Sequence, residues 1–500
     1  MAASHIGSFA VQTAMIRGVE AKPVTVEVSC SAGIPGYTII GSADATVMEA
    51  KSRVACAITS CGFENPRLHI TVNLAPGELR KTGSGFDLPI AVAVLAASGQ
   101  IPTQGLDSCL LVGELALDGQ VCPVRGEMAY AMLAHQRGLK LVTAPEGIPT
   151  SAIDCDRGAL ESLGRLRLGV GELPERGVMR TRMAAKAAHD KTLDYRDVCD
   201  QEIAKRAMVI AAAGQHGILM VGPPGAGKTM LARRMPTILP QLDEQSKVEA
   251  LLIHSVAGQA PGGIERGEPP FRAPHHSISS AGLVGGGRPV MPGEVTLAHK
   301  GVLFLDELPE FATNVLQLLR QPVEDHVVRI SRAEGSYVFP CDFMLVAAAN
   351  PCPCGHLGDP GHPCTCAPAR VETYQARMGG PLANRIDLHI DVARPASEKV
   401  IEGGSGMSSA QMADMVRSAR EFAAHRKRAR PKGKDDGVAA TFEDDARSAF
   451  EVIAKRLGMG GRSIARAARV ARTIADLEHH ERVSRDDIME ACSYRGRSHG

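Results

Sequence analysis

The sequence predicts an α/β protein built as two successive α/β domains and closed by a mainly helical C-terminal segment. Three observations carry that expectation. Short β-like runs alternate with helix-period segments through the first part of the chain. Further on, "HGILMVG", "GVLFLDE" and "DFMLVAAAN" are continuous apolar runs, as expected of parallel strands covered on both faces. The C-terminal stretch then places apolar residues three and four apart over several helix lengths.

A chain of 500 residues exceeds one ordinary core, so about two to four domains are expected. Lys plus Arg number 56 against 55 Asp plus Glu, which excludes a wholesale polyanion binder but leaves room for local basic patches. The absence of tryptophan argues against aromatic platforms for stacking nucleobases. "MAASHIGSFAVQTAMIRG" lacks the order of a signal peptide, and no apolar run is long enough to cross a bilayer. A cytoplasmic location without membrane partners is expected, and disulfides are rare there. Most of the 13 cysteines, such as Cys56, Cys109 and Cys492, stand singly in apolar surroundings and read as small buried side chains.

The first domain is taken as residues 1–172. "KPVTVEVSC", "LHITVNLAP", "CLLVGELALDGQV" and "LKLVTAP" read as strands, with helices in "DATVMEAKSRVACAITSCG" and "FDLPIAVAVLAASG". Residues 173–193 are polar, basic and weakly patterned, and read as a linker. The second domain, 194–395, holds the apolar strands, and residues 396–500 form the helical domain. Thr441 and Ser484 are expected helix N-caps, "SAQMADMVRSAREFAAHRKR" reads as a helix, and "HRKRARPKGKDDG" reads as an exposed loop that interrupts the helices.

"GPPGAGKT", Gly222, Pro223, Pro224, Gly225, Ala226, Gly227, Lys228 and Thr229, follows an apolar strand and opens a helix. That is the context a phosphate-binding loop needs, because glycines let backbone N–H groups close round phosphate oxygens. Lys228 is expected on the β- and γ-phosphates of ATP and Thr229 on Mg2+. "VLFLDE" ends in Asp306, which would orient the magnesium shell, and Glu307, which would act as general base. Asn350, at the end of "LVAAAN", is suited to position the attacking water. Arg385, in "NRIDL", is a candidate arginine finger; the plainer alternative is a surface pair with Asp387 or Asp391. Arg466, Arg469 and Arg472 recur at three-residue spacing, so one of them is a candidate phosphate contact.

After Asn350 the chain reads "PCPCGHLGDPGHPCTC". Cys352, Cys354, Cys364 and Cys366 form two Cys-x-Cys pairs, a candidate structural zinc site with His356 or His362 available in place of one thiolate. Reduced free thiols and disulfides are the alternatives.

Taken together, the P-loop, "LFLDE", "AAAN", "NRIDL" and the helical C-terminus resemble an AAA+ ATPase. "TVNLAPGELRKTGSGFDLPIAVAVL", "FRAPHHSISSAGLVGGG", "PGEVTLAHKGVLFLDELPEF", "LRQPVED", "NPCPCG" and "RVARTIADL" are similar to the ComM/YifB group of magnesium-chelatase-like AAA+ proteins. The resemblance implies a Lon-protease-like N-terminal domain, an AAA+ core, a helical lid, a hexameric ring and ATP-driven branch migration of DNA junctions in recombination and natural transformation. It also implies Lys228 and Thr229 as Walker A, Asp306 and Glu307 as Walker B, Asn350 as sensor 1, Arg385 as arginine finger and Arg469 as sensor 2. Two departures stand out: Cys199 and Asp200 replace a basic residue and glycine, and "IIGSADATVMEA" replaces a "VGLPD" segment. The protease nucleophile's place falls at Gly85, beside Ser84, and no lysine follows "GELALDGQVCPV", so no proteolysis is expected.

Inserts in related ATPases face the ring pore. Here "APGGIERGEPPFRAPHHSISSAGLVGGGRPVMPGEV" and a hairpin "VVRISRAEGSYVF", turning near Glu334 and Gly335, make Arg272, Arg288, Arg329 and Arg332 candidate phosphate contacts for branched or single-stranded DNA. Subunit-interface ion pairs are the alternative role. His275 and His276, without carboxylate or cysteine neighbours in sequence, read as structural. The competing function is a magnesium-chelatase-type or chaperone-type motor that remodels a protein partner.

Overall fold

The computed structural model describes residues 5–147, 153–175, 193–333, 335–359, 361–378, 382, 385–403, 406–429 and 441–495. Most of the expected linker and the turn residue Glu334 lie outside them.

The N-terminal domain is a seven-stranded sheet in the order 36–40, 69–75, 20–31, 5–17, 109–111, 140–143, 157–159. Its spine is the antiparallel pair His5–Arg17 and Glu20–Ser31, turned at Gly18, whose φ of 68° is a glycine conformation. In the second strand Val24, Val26, Val28 and Cys30 are buried at a period of two, so one face meets the core. Helix Asp87–Ala97 packs there and is buried on nearly every side, which matches its all-round apolar sequence. Its first residue, Asp87, is satisfied by Arg53 through bonds of 2.7 and 2.9 Å. The run "CLLVGELALDGQV" is not one strand. It stops at Leu111, and Glu114–Leu115 pairs with Val121–Cys122 as a small separate hairpin.

The second domain has a five-stranded parallel sheet ordered 271–272, 302–305, 344–349, 218–221, 388–391. The strands Val302–Leu305 and Met344–Ala349 are buried throughout, as continuous apolar runs require. All five run the same way, so their carboxyl ends share one edge, where ligands of open α/β sheets bind.

Helices Ser409–Ala429, Asp444–Arg456, Gly461–Leu477 and Arg485–Ser493 follow. They share one apolar core with helix Glu202–Gly214 and the sheet, through residues such as Met208, Val416, Ala471 and Ile488. Ser484 caps the last helix in a reciprocal capping box with Asp487. Thr441 is not a cap: Glu443 holds that position, and the Thr441 carbonyl accepts from Val483 N at 2.8 Å. Helix Ser409–Ala429 runs through "HRKR", which the sequence assigned both to the end of this helix and to the start of the loop, and Arg426 forks onto Asp476 at 2.9 Å twice; residues 430–440 lie outside the described residues.

The two α/β domains are joined side by side. Met128 and Ala129 of helix Glu127–Arg137 share a buried cluster with Ala250, Leu251 and Leu252 of helix Glu244–Ala257. Gly126 N donates to the Ser255 carbonyl at 2.9 Å, and Met128 N donates to its hydroxyl at 3.2 Å. No helix among the described residues is long and apolar enough to cross a membrane.

Candidate nucleotide-binding site

The strand Ile218–Val221 lies between Met344–Ala349 and Leu388–Asp391, so its carboxyl end opens in the middle of the sheet. Gly222 to Thr229 begin there. Gly225 and Gly227 have φ of 79° and 89°, and a Cβ built at either meets nothing within 4 Å. The loop therefore encloses an open cradle that side chains would fill, which fits a phosphate group. Lys228 is buried, and its ammonium donates to Gly222 O at 2.6 Å, Pro223 O at 3.0 Å and Asn350 Oδ1 at 3.1 Å. Burial lowers the Lys228 pKa, against the opposing charges of Asp306 and Glu307.

The neighbouring strand tips converge on the same point. Thr229 Oγ1 donates to Asp306 Oδ2 at 2.8 Å, so hydroxyl and carboxylate stand together as a Mg2+ shell requires. Asp306 Oδ1 accepts from the Glu307 N–H at 3.0 Å. Glu307 has a left-handed backbone, φ 52°, which costs a residue with a side chain roughly 1–2 kcal/mol. Its carboxylate stands 3.5 Å from His276 Nδ1, and the His276 ring meets Phe311 edge-on. This proximity is invisible in the sequence, because only the fold brings residue 276 beside residue 307.

Arg385 and Arg469 lie elsewhere. Both belong to a cluster at the strand-start edge of the sheet, one strand length from the P-loop, roughly 13 Å at about 3.3 Å per residue. Arg385 Nε stands 2.8 Å from Glu324, a partner the sequence did not suggest. Arg466 and Arg469 approach Asp387 Oδ1 at 3.8 and 3.6 Å, and His216 Nδ1 lies 3.0 Å from its other oxygen. Burial pushes the Asp387 pKa up, but the His216 hydrogen bond and the nearby cations outweigh it and leave a net depression. Arg469 remains largely exposed, whereas Arg472 is tied to Asp476 and the Glu481 carbonyl.

The four cysteine sulfurs come together beside Asn350, all within 4.8 Å of one another. Among the arginines singled out for DNA, Arg272 is engaged by Glu294 at 2.6 and 2.7 Å and by Gln259 at 3.1 Å, so it braces its own domain. Arg288, Arg329 and Arg332 are exposed and carry no ion pair among the described residues. Arg329 and Arg332 sit on the hairpin Val327–Arg332 with Gly335–Pro340, and Arg332 approaches Gly286, two residues before Arg288. In the N-terminal domain Ser84 donates to Glu114 at 2.6 Å, while Lys81 is buried with its ammonium on the Pro76 carbonyl. Among the described residues no lysine is hydrogen-bonded to Ser84.

Three families match the chain in succession: subunit ChlI of Mg-chelatase over residues 26–147, magnesium chelatase subunit ChlI over 194–400 and the ChlI C-terminal family over 406–495. The uncharacterized protein YifB of Salmonella typhimurium is 39% identical over 97% of this chain and 96% of its own length. The competence protein ComM of Haemophilus influenzae is 38% identical over 96% of this chain and 95% of its own. The chain belongs to the ComM/YifB family of magnesium-chelatase-like AAA+ proteins. A magnesium-chelatase 67 kDa subunit of Chlorobaculum parvum is 28% identical over only 31% of this chain, a more distant likeness. Asp200, where the resemblance led to an expected glycine, has a left-handed backbone, φ 56°, a conformation glycine adopts freely, and its carboxylate accepts from Ala396 N at 3.1 Å.

Proposed function

We propose that this chain is an ATP-hydrolysing AAA+ motor, working in the cytoplasm as a homo-hexamer on branched or single-stranded DNA, and that it drives branch migration of recombination junctions during natural transformation or homologous recombination. The observation that carries the ATPase reading is the pair of contacts Lys228–Asn350 and Thr229–Asp306, which gathers three adjacent parallel strand ends at one cradle. ATP phosphates would lie against Gly222 to Gly227 and Lys228. Thr229 and Asp306 would hold Mg2+, which neutralises phosphate charge when bound. Glu307 takes the proton of the attacking water, and Asn350 orients that water. Arg385 and Arg469, on the opposite edge, complete the site of a neighbouring subunit, which is why a ring belongs to the reading. A structural zinc ion on Cys352, Cys354, Cys364 and Cys366 belongs to it as well.

The DNA half is supported by the exposed Arg288, Arg329 and Arg332 and by the likeness to a protein named for competence. A motor that remodels a protein partner is the second reading, favoured by the three magnesium-chelatase family matches. ATP turnover measured with and without a synthetic branched junction, beside strand exchange on that junction, separates the two. DNA-stimulated turnover and a moving branch are expected. Turnover indifferent to DNA and a stationary junction would sink the DNA reading. Glu307→Gln should still bind ATP while turnover falls about a hundredfold or more.

A further inference from the structure

The loop between Asn350 and helix Pro368–Met378 has almost nothing apolar to hold it. Of its described residues only Cys352 and Gly355 are buried, and its one large hydrophobe, Leu357, is 39% exposed. Yet the four sulfurs converge: Cys352 to Cys354 is 3.4 Å, and Cys364 is 3.6 Å from both. Those separations are far beyond a disulfide of about 2.05 Å. They approach the sulfur–sulfur edge of a tetrahedron with zinc–sulfur bonds of about 2.3 Å, roughly 3.8 Å. One amide of the loop points inward: Cys354 N donates to Cys366 Sγ at 3.3 Å. An amide directed at sulfur is the kind of outer support that orients a thiolate ligand.

The same loop rests on the phosphate-binding loop in three places. Asn350 accepts from Lys228. Gly355, at φ 84°, lies so close to Pro224 that a Cβ would come within 2.6 Å of its Cδ. Farther along, Asp359 pairs with Arg394 at 3.3 Å, and Arg394 also donates to the Pro224 carbonyl at 3.4 Å. His356, Asp359 and His362 are close enough together to suggest a second metal. The Arg394 guanidinium already occupies that carboxylate, so this trio acts as the outer strut of the loop.

We propose that the zinc-bound cysteine loop buttresses the P-loop, so that zinc occupancy sets the affinity of the nucleotide site. This rests on the zinc reading above. Zinc suits the role because it takes four thiolates tetrahedrally and has no redox chemistry of its own.

The test uses the full chain, purified without chelator. Metal analysis should find about one zinc per chain, and Cys364→Ser with Cys366→Ser should remove it. Titration with a fluorescent ATP analogue should then show about tenfold weaker binding, while circular dichroism and the thermal transition report whether the variant is folded. Arg394→Ala, which leaves the thiols alone, should keep its zinc and also weaken binding. A wild-type chain with no zinc and four freely reacting thiols would overturn the zinc reading and the buttress together. Iron in the site, seen by its thiolate charge-transfer absorption, would overturn the zinc assignment. Zinc found in the wild-type chain, lost from the double cysteine variant, with nucleotide affinity unchanged in both that variant and Arg394→Ala, would overturn the buttress alone.

Discussion

Glu307 and His276 are partners across 31 positions of sequence, 3.5 Å apart, one just past the end of strand Val302–Leu305 and the other on the segment after strand Phe271–Arg272. An imidazole this close occupies space that a water molecule would need beside the carboxylate. His276→Ala is therefore expected to raise ATP turnover in the absence of DNA by up to about fivefold, the scale of a partly exposed pair. His276→Asn, which keeps a donor, should lie between the two. A fall in turnover would mean that His276 orients Glu307 instead of restraining it. At this scale the sequence is legible where chemistry is local: Gly222 to Thr229 and the Asp306–Glu307 pair are consecutive residues whose spacing carries their geometry. It is not legible for His276, Arg394 or Glu324, whose roles depend on which residue the fold sets opposite. Arg469 belongs with them. Its place on a helix is readable, but not the edge of the sheet to which that helix delivers it.

Among elements, the hairpin 327–340 is the one most exposed to a test. Val328 and Phe339 point inward and are buried, while Arg329 and Arg332 project outward, so the two arginines can be removed without opening the core. Arg329→Ala with Arg332→Ala should weaken DNA binding uniformly across sequences and reduce the salt slope by about 2, one for each phosphate no longer neutralised. ATP binding should be untouched, and an unchanged slope would remove the hairpin from the DNA interface. Elements were readable where their apolar period was clean, as in Met344–Ala349 and Asp87–Ala97. Strand His5–Arg17 was not, because alanine, glutamine and methionine give it little β character of its own; pairing with Glu20–Ser31 makes it a strand. Helix Ser409–Ala429 was readable to within one residue of its end, because Arg, Lys and Ala are good helix formers, and Asp476 takes up Arg426.

Across the whole molecule, composition and periodicity separate strand-forming from helical stretches, but they do not say how those stretches are arranged. Nothing in "EMAYAMLAHQR" announces that it meets "EQSKVEALLIHSVA". The buried seam between those helices has a consequence for how the chain is held together. With Met128, Ala129, Ala250, Leu251 and Leu252 packed in one cluster and Ser255 bonded across it, the seam is expected to hold the domains together without the covalent connection. Residues 1–175 and 193–500, produced as separate polypeptides with only the second tagged, should be recovered together. Ala250→Glu, which places a charge in the seam, should release the first piece; halves that part with the seam intact would show that the linker alone unites them. An N-terminal domain fixed in this way is a crank, not a passenger: whatever tilts helix Glu244–Ala257 turns the sheet of residues 5–159 with it.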